Sequence, residues 1–489
     1  MQLDVFFVNG PFISGFSRES RSPAVTKSGT LYYPAWLAYA CGYIEECGHS
    51  ARLLDCIADK LSFKESVSTL IASNPKLIVI GTSTPSIEDD AKFAKAIKDQ
   101  LPESIVCFCG THASSTAIET LENYPWVDLI ARREYDLTVL EVLERILEGK
   151  KYSDCLGIST RVNGVIVETP NRDYIENLDV LPFASKVYKK HLTIKNYYYG
   201  HVKYPMISIF TSRGCNAKCT YCVYPQTMFG GFRARSPKNI AAEFAWIAVN
   251  LPEVREVLID DDTFTMFSQH AREVAQELIL VRNKIPWTCE ARATLDFETL
   301  SLMKAAGCRL IVVGFESVSQ QVLNNIKKGI KQSKVEDFVS AAKKAKVKIH
   351  GCFMAGNPGD TMETLDATLN WAISKDFDTA QFFPLQVYPG TTAYEEQQLS
   401  GRLKKQSYRK WVTQDGLHNM TLIESDTGLS EKNILDFCDN ARRKFYLRPG
   451  YIFKKSLDIF VDPSEFLKNV KGFLNIRKYL FTNVSSSSK

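Results

Sequence analysis

Short apolar runs alternate with amphipathic stretches from the start of the chain to about residue 155, the pattern of strands and helices alternating on a parallel sheet. The runs at 3–8, 51–55, 76–80 and 105–109 are of strand length. Each runs into small or polar residues: Asn9-Gly10-Pro11, Asp55, Gly81-Thr82-Ser83-Thr84 and Gly110-Thr111-His112. In such α/β sheets ligands collect at the carboxyl ends of the strands, where small residues let the backbone come close. A second alternating region follows, with strands predicted at 206–211, 257–259, 287–291, 310–314, 348–354 and 379–385 and helix-length segments such as 238–249 between them. Six such units predict an open, partial (β/α)6 barrel. The chain therefore divides into a doubly wound α/β domain at 1–155, a linker at 156–200, the barrel at 201–395 and a helical, basic C-terminal region at 396–489. No internal repeat is present, and only the serine-rich end is of low complexity.

Composition narrows the class. The 489 residues are 45% hydrophobic and 24% charged, as in an ordinary globular protein. A net charge of +5 is too mild for a nucleic-acid-binding domain, and no nucleic-acid partner is expected. Thirteen cysteines, an odd number in a long chain, point to a reducing, cytoplasmic setting rather than a disulfide framework. The first residues lack the positive flank and cleavage site of a secretory signal, and no run of about 20 apolar residues could span a bilayer.

The chemistry concentrates in Arg213-Gly214-Cys215-Asn216-Ala217-Lys218-Cys219-Thr220-Tyr221-Cys222, a C-x3-C-x2-C run directly after a predicted strand. Three thiolates on one tight loop can wrap a polynuclear iron cluster, and a four-iron cluster would then keep one iron open for a ligand. A structural zinc ion wants four ligands, and no further Cys or His follows at the required spacing. Among the remaining cysteines, which read as core filling, Cys107 and Cys109 share one strand face. The carboxylates Asp260, Asp261 and Asp262 contact a ligand or form a solvated turn. Ser317 contacts a ligand or caps the next helix.

With these residues stated, the chain resembles the radical S-adenosylmethionine (SAM) superfamily. The cysteine run carries an aromatic before its last cysteine, and the downstream motifs Cys289-Glu290-Ala291-Arg292, Gly314-Phe315-Glu316-Ser317, Gly356-Asn357-Pro358-Gly359 and Tyr388-Pro389-Gly390-Thr391 fit the same family. The N-terminal Rossmann-like domain is similar to the cobalamin-binding branch. Local motifs after the cluster, from Val223 to Pro237, look most like hopanoid and other lipid-pathway members. The resemblance implies a [4Fe-4S] cluster on Cys215, Cys219 and Cys222. It also implies SAM contacts from Tyr221, Asp261, Glu290, Arg292, Glu316 and Ser317. Cobalamin contacts would come from Asp55, Thr82, Ser83, Gly110 and His112. The family's Asp-x-His-x-x-Gly motif is replaced here by Asp55-Cys56-Ile57-Ala58-Asp59-Lys60, so no histidine ligates cobalt from that loop. The implied activity is reductive cleavage of SAM to a 5′-deoxyadenosyl radical that modifies an unactivated carbon of a small-molecule or lipid substrate, by C-methylation. Ring formation or rearrangement stays open as the alternative. The implied partner is an electron donor such as flavodoxin or ferredoxin. The stretch 441–489, rich in Lys, Arg and aromatics including Phe445, Tyr446, Tyr451, Phe453, Phe460, Phe466, Phe473, Tyr479 and Phe481, either docks on a membrane surface or packs on the barrel.

Overall fold

The structure, a computed structural model, describes residues 3–404 and 406–461, together with 470, 472, 474, 475, 477 and 479. The first sheet contains β1 (Val5–Asn9), β2 (Ala51–Asp55), β3 (Leu77–Gly81), β4 (Ile105–Cys109), β5 (Leu129–Ala131), β6 (Ile158–Val162) and β7 (Val165–Glu168). Their order is β2-β1-β3-β4-β5-β6-β7. The first five are parallel, and β6 and β7 add an antiparallel edge. Alternation sends Val5, Phe7, Leu77, Val79 and Cys107 to one face and Phe6, Val8, Ile78, Ile80 and Phe108 to the other, and both faces are buried. Continuous apolar runs are what a parallel sheet covered on both sides requires.

The segment read as a linker, 156–200, is not one. It supplies β6 and β7 and the helix Ala184–His191. The strands are short, four and five residues, and β7, Val165-Ile166-Val167-Glu168, is an edge strand with none of its residues fully buried.

The second sheet runs β8 (Met206–Ile209), β9 (Glu256–Ile259), β10 (Trp287–Ala291), β11 (Cys308–Glu316), β12 (Lys348–Ala355) and β13 (Thr379–Pro384) in simple chain order, all parallel. Among the described residues β8 and β13 do not pair, so the barrel is open along one side. The helix expected at 238–249 is Pro237–Asn250, started by the Ser236 side chain accepting from Asn239 N and by proline in the first turn.

The open side is covered by the helix Glu431–Tyr446. Near its start Ile434 packs over Gly356, which follows β12. At its end the Tyr446 hydroxyl donates to Ala380 O (2.7 Å), at the beginning of β13. The helix thus runs from the carboxyl ends of the strands to their amino ends. Phe445 and Tyr451 pack with Tyr446, so these aromatics face the barrel, whereas Phe453 is exposed. Phe460, Phe466, Phe473 and Phe481 lie outside the residues whose side chains are described. No described helix is long and apolar enough to cross a membrane.

One face of the first sheet and the interior of the second share a continuous apolar core. The connection after β1 adds to this union: it leaves the first sheet, reaches the barrel mouth, and there Ser22 Oγ lies 3.1 Å from Tyr388 Oη and 2.9 Å from His418 Nε2.

Candidate active site

The chain leaving β8 is fixed before it reaches the cysteines. The Asp261 carboxylate, fully buried, accepts from Thr211 N (2.6 Å) and Ser212 N (3.1 Å) through Oδ1. Its Oδ2 accepts from the Thr211 and Ser212 hydroxyls at 2.5 and 2.7 Å. Burial pushes this carboxyl up to about 6, against the four donors. Arg213 is also buried. Its guanidinium pairs with Glu134 and Asp136 of the first unit (2.7 Å to Asp136) and sits over the rings of Trp36, Tyr39 and Phe229. Gly214 then turns the chain at φ +79°, and a Cβ there would lie 2.6 Å from Gly230 O, so only glycine fits.

Cys215, Cys219 and Cys222 open on one cavity of about 980 Å³ that fills the barrel mouth. Ala217 N donates to Cys215 Sγ (3.4 Å), and the Cys215 Sγ lies 3.6 Å from Thr263 Oγ1. The three sulfurs do not all lie within 4.8 Å of one another. A structural zinc ion is bound by four protein ligands, whereas an iron cluster can be held by three thiolates. Three thiols on one cavity, with no fourth Cys or His beside them among the described residues, are a donor set that fits a four-iron cluster with one open iron.

Around the same cavity charges are paired at the carboxyl ends of the strands. Tyr221 Oη donates to Glu316 Oε1 (3.0 Å), and Lys328 Nζ donates to the same oxygen (2.7 Å) and to Tyr221 Oη (3.2 Å). Glu316 is held in left-handed backbone, φ +63°, at the end of β11. Arg292 Nη2 donates to Lys328 O (2.5 Å). Arg21, from the first unit, donates to Asp260 Oδ1 (3.3 Å) and to Asp261 O (2.5 Å), and its Nε lies 4.0 Å from Asp262. Asp262 and Glu290 face the cavity. Burial pushes the Glu290 carboxyl up to about 8, although Arg21 acts to lower it.

Of the residues expected at a SAM site, Tyr221, Glu290, Arg292 and Glu316 line the cavity with the cysteines. Asp261 and Ser317 do not. Asp261 is the loop anchor just described, and its neighbour Asp262 faces the cavity instead. Ser317 is buried, its hydroxyl 3.4 Å from Thr368 Oγ1 and accepting from Ser319 N (3.2 Å). It does not cap the next helix either, because Ser319 does. Lys328 and Arg21 carried no signal in the sequence: each is an ordinary basic residue in a loop, indistinguishable from neighbours such as Lys327, and is brought to the site by tertiary folding. Cys352, expected as core filling, lines the cavity on β12, where Gln381 Nε2 donates to its sulfur (3.4 Å).

The five residues expected at a cobalamin site are held within the first unit. Asp55 accepts from Asn9, Ile57 N, Ala58 N and Tyr197 Oη, Thr82 Oγ1 donates to Cys109 O (2.7 Å), and Ser83 Oγ lies 2.8 Å from Ser86 Oγ. Gly110, at φ +105°, lies so near Thr82 O that a Cβ would come within 2.6 Å. His112 Nδ1 is 3.2 Å from Thr84 Oγ1, and its ring meets Tyr408 edge-on; burial pushes its pKa down to about 3, so it is neutral. His112 opens on a separate pocket of about 450 Å³, and none of the five faces the large cavity. The cavity wall between the two units instead carries unpartnered polar atoms: Gln386 Oε1, on a side chain that is 6% exposed, and His418 Nδ1. A ligand rich in amides, such as a corrin, suits that wall.

The comparisons with known proteins agree with this geometry. Residues 209–372 match the radical SAM superfamily, and residues 21–143 match the B12 binding domain. An uncharacterized methyltransferase of Pyrococcus horikoshii is 28% identical over 92% of this chain and 95% of its own. An anaerobic magnesium-protoporphyrin IX monomethyl ester cyclase of Cereibacter sphaeroides is 24% identical over 85% of this chain and 67% of its own. Among solved structures, the radical SAM methyltransferase TsrM from Kitasatospora setae, with tryptophan and a SAM analogue bound, superposes with a TM-score of 0.66 at 17% identity. It covers 82% of this chain and 77% of the neighbour. The chain thus joins a B12 binding domain to a radical SAM domain, the pairing of the cobalamin-dependent radical SAM enzymes it resembles. Its cofactors are a [4Fe-4S] cluster, SAM and cobalamin. Enzymes of this superfamily act on small-molecule substrates with the help of an electron donor.

Proposed function

We propose that Cys215, Cys219 and Cys222 hold the cluster, and that Tyr221, Glu290, Arg292, Glu316 and Lys328 bind SAM against it. The observation that carries this reading is that these residues meet on one cavity at the carboxyl ends of β8 to β11. When bound, the cluster supplies an electron to the sulfonium and cobalamin supplies a carrier for a methyl group. The protein's share is position. Asp261 and Arg213 fix the loop, Tyr221 and Glu316 hold one another through Lys328, and Gln386 and His418 would offer hydrogen-bond partners to a cofactor rich in amides. The product is a C-methylated small molecule of lipid or isoprenoid type. We place the activity in the cytoplasm with flavodoxin or ferredoxin as donor, and the exposed Ile452 and Phe453 support contact with a membrane surface.

Anaerobic reconstitution with iron, sulfide and cobalamin, followed by SAM and a strong reductant, tests the reading. Formation of both 5′-deoxyadenosine and S-adenosylhomocysteine is expected. Formation of 5′-deoxyadenosine alone would remove methyl transfer and leave ring formation or rearrangement.

A further inference from the structure

The cavity that receives the cysteines does not stop at the barrel mouth. It continues down the open side of the barrel, between β13 and the helix Glu431–Tyr446, to the amino ends of the strands. Tyr446, bound to the second residue of β13, lines it there, as does His201, whose ring stacks on His350 in the first half of β12. The helix from Ile434 to Tyr446 rises about 18 Å at 1.5 Å per residue, which sets the scale of this extension.

Charge is distributed unevenly along it. At the cysteine end the acidic side chains of Asp262, Glu290 and Glu316 face the cavity together with Arg21, Arg292 and Lys328, so that end holds groups of both signs. Toward the other end Lys27 and Arg442 face the cavity, and among the described residues no carboxylate lines that part. Lys27 and Arg442 share one acidic partner, Asp439 (2.8 and 2.7 Å), which does not itself line the cavity. The pair is held out of water, with side-chain exposures of 16% and 10%. Burial and the neighbouring Arg442 push the Lys27 ammonium down, and Asp439 only partly opposes them. Beside Lys27, a turn of hydroxyls also lines the cavity: Thr26, Ser28 and Thr30, with Ser28 Oγ 3.1 Å from Thr30 Oγ1. Between the cysteines and this cationic pair the wall carries the apolar side chains of Phe382, on β13, and Leu435, near the start of the helix, while Tyr446 lines the cavity past Arg442.

Two cations on one carboxylate leave a positive charge turned toward the cavity, and a low-dielectric wall strengthens its pull on an anion. We propose that the substrate is an elongated amphiphile whose anionic head, a carboxylate or a phosphate, is held by Lys27 and Arg442, and whose apolar body runs along the helix Glu431–Tyr446 to present an unactivated carbon at the cysteine end. This inference rests on the proposed function of the same cavity and adds the substrate class and the residues that select it.

The test is equilibrium binding of dodecanoate, dodecyl phosphate and dodecanol to the reconstituted holoenzyme, and to its Lys27→Met and Arg442→Met variants. Each single variant keeps Asp439 paired with the remaining cation, and thermal unfolding checks that it is folded. Both anions bind about tenfold or more tightly than the alcohol, the worth of one charge-assisted hydrogen bond, and each variant removes most of that preference. The tighter anion identifies the head group. Dodecanol binding as tightly as the anions would overturn the proposal, and so would an anion preference that survives both substitutions. A wild-type enzyme that forms both nucleoside products from SAM yet binds neither anion would overturn this inference and leave the proposed function standing. Anion binding without S-adenosylhomocysteine would do the reverse.

Discussion

Replacing Asp261 by alanine and, separately, by asparagine separates an anchoring role from contact with SAM. In the native loop Oδ1 takes both backbone N–H groups and Oδ2 takes both hydroxyls. Asparagine keeps Oδ1, and its amide can donate to hydroxyls that are free to rotate, so the whole set survives. Alanine leaves two buried N–H groups without an acceptor at about 1–3 kcal/mol each, roughly 4 kcal/mol together. There is also a pH signature. Burial pushes the folded carboxyl up to about 6, against 3.8 for an aspartate in water. Between those values the folded chain keeps a proton the unfolded chain has released, so this group's contribution to stability declines as pH rises through that window, by about 3 kcal/mol in all. D261N lacks that decline. Chemical denaturation from pH 4 to 7, with iron counted after reconstitution, reads both effects. D261N should hold wild-type iron and still form 5′-deoxyadenosine, while D261A loses stability and iron together. If D261N fails as D261A does, the carboxylate acts through its charge on a ligand and the anchoring role is wrong.

Other substitutions address the cluster and its surroundings. Cys219→Ala should abolish cluster assembly and SAM cleavage while far-UV circular dichroism stays native; retained turnover would end the reading of the motif. Lys328→Met leaves Glu316 beside Tyr221 without its cation, and SAM affinity should drop about tenfold by titration, the worth of a buried charged hydrogen bond. Glu290, pushed up to about 8 chiefly by burial, is protonated at neutral pH and ionises as the pH passes 8, so KM for SAM should change between pH 7 and 9 and Glu290→Gln should flatten that profile.

The fold was legible wherever the apolar pattern was strong. Ten strands were read within a few residues of their positions, because parallel strands buried on both faces appear as unbroken apolar runs. β5, β6 and β7 escaped: β5 has only three residues, β6 is apolar only at its ends, and β7 is an edge strand with none of its residues fully buried. The cysteine loop was legible because three thiols at short spacing have few other uses. The rest of the site was not, because Lys328, Arg21, Gln386 and His418 converge from four separate loops and nothing local marks them. Clustered carboxylates misled for a related reason: adjacency in the chain says nothing about direction, and of Asp260, Asp261 and Asp262 only the last turns to the cavity.

The placement of Arg213 bears on how freely such chains could trade parts. Its guanidinium leaves the cysteine loop to meet Glu134 and Asp136 inside the first unit, and Arg233 reaches the same Glu134 at 2.9 Å. Removing one partner of such a buried set strands the others at about 3–5 kcal/mol. A hybrid that grafts a foreign N-terminal unit onto this barrel would therefore have to import both acidic residues at matching places, however well the rest of its surface fitted. Inheritance of the two halves is tied together at the loop that bears the cysteines.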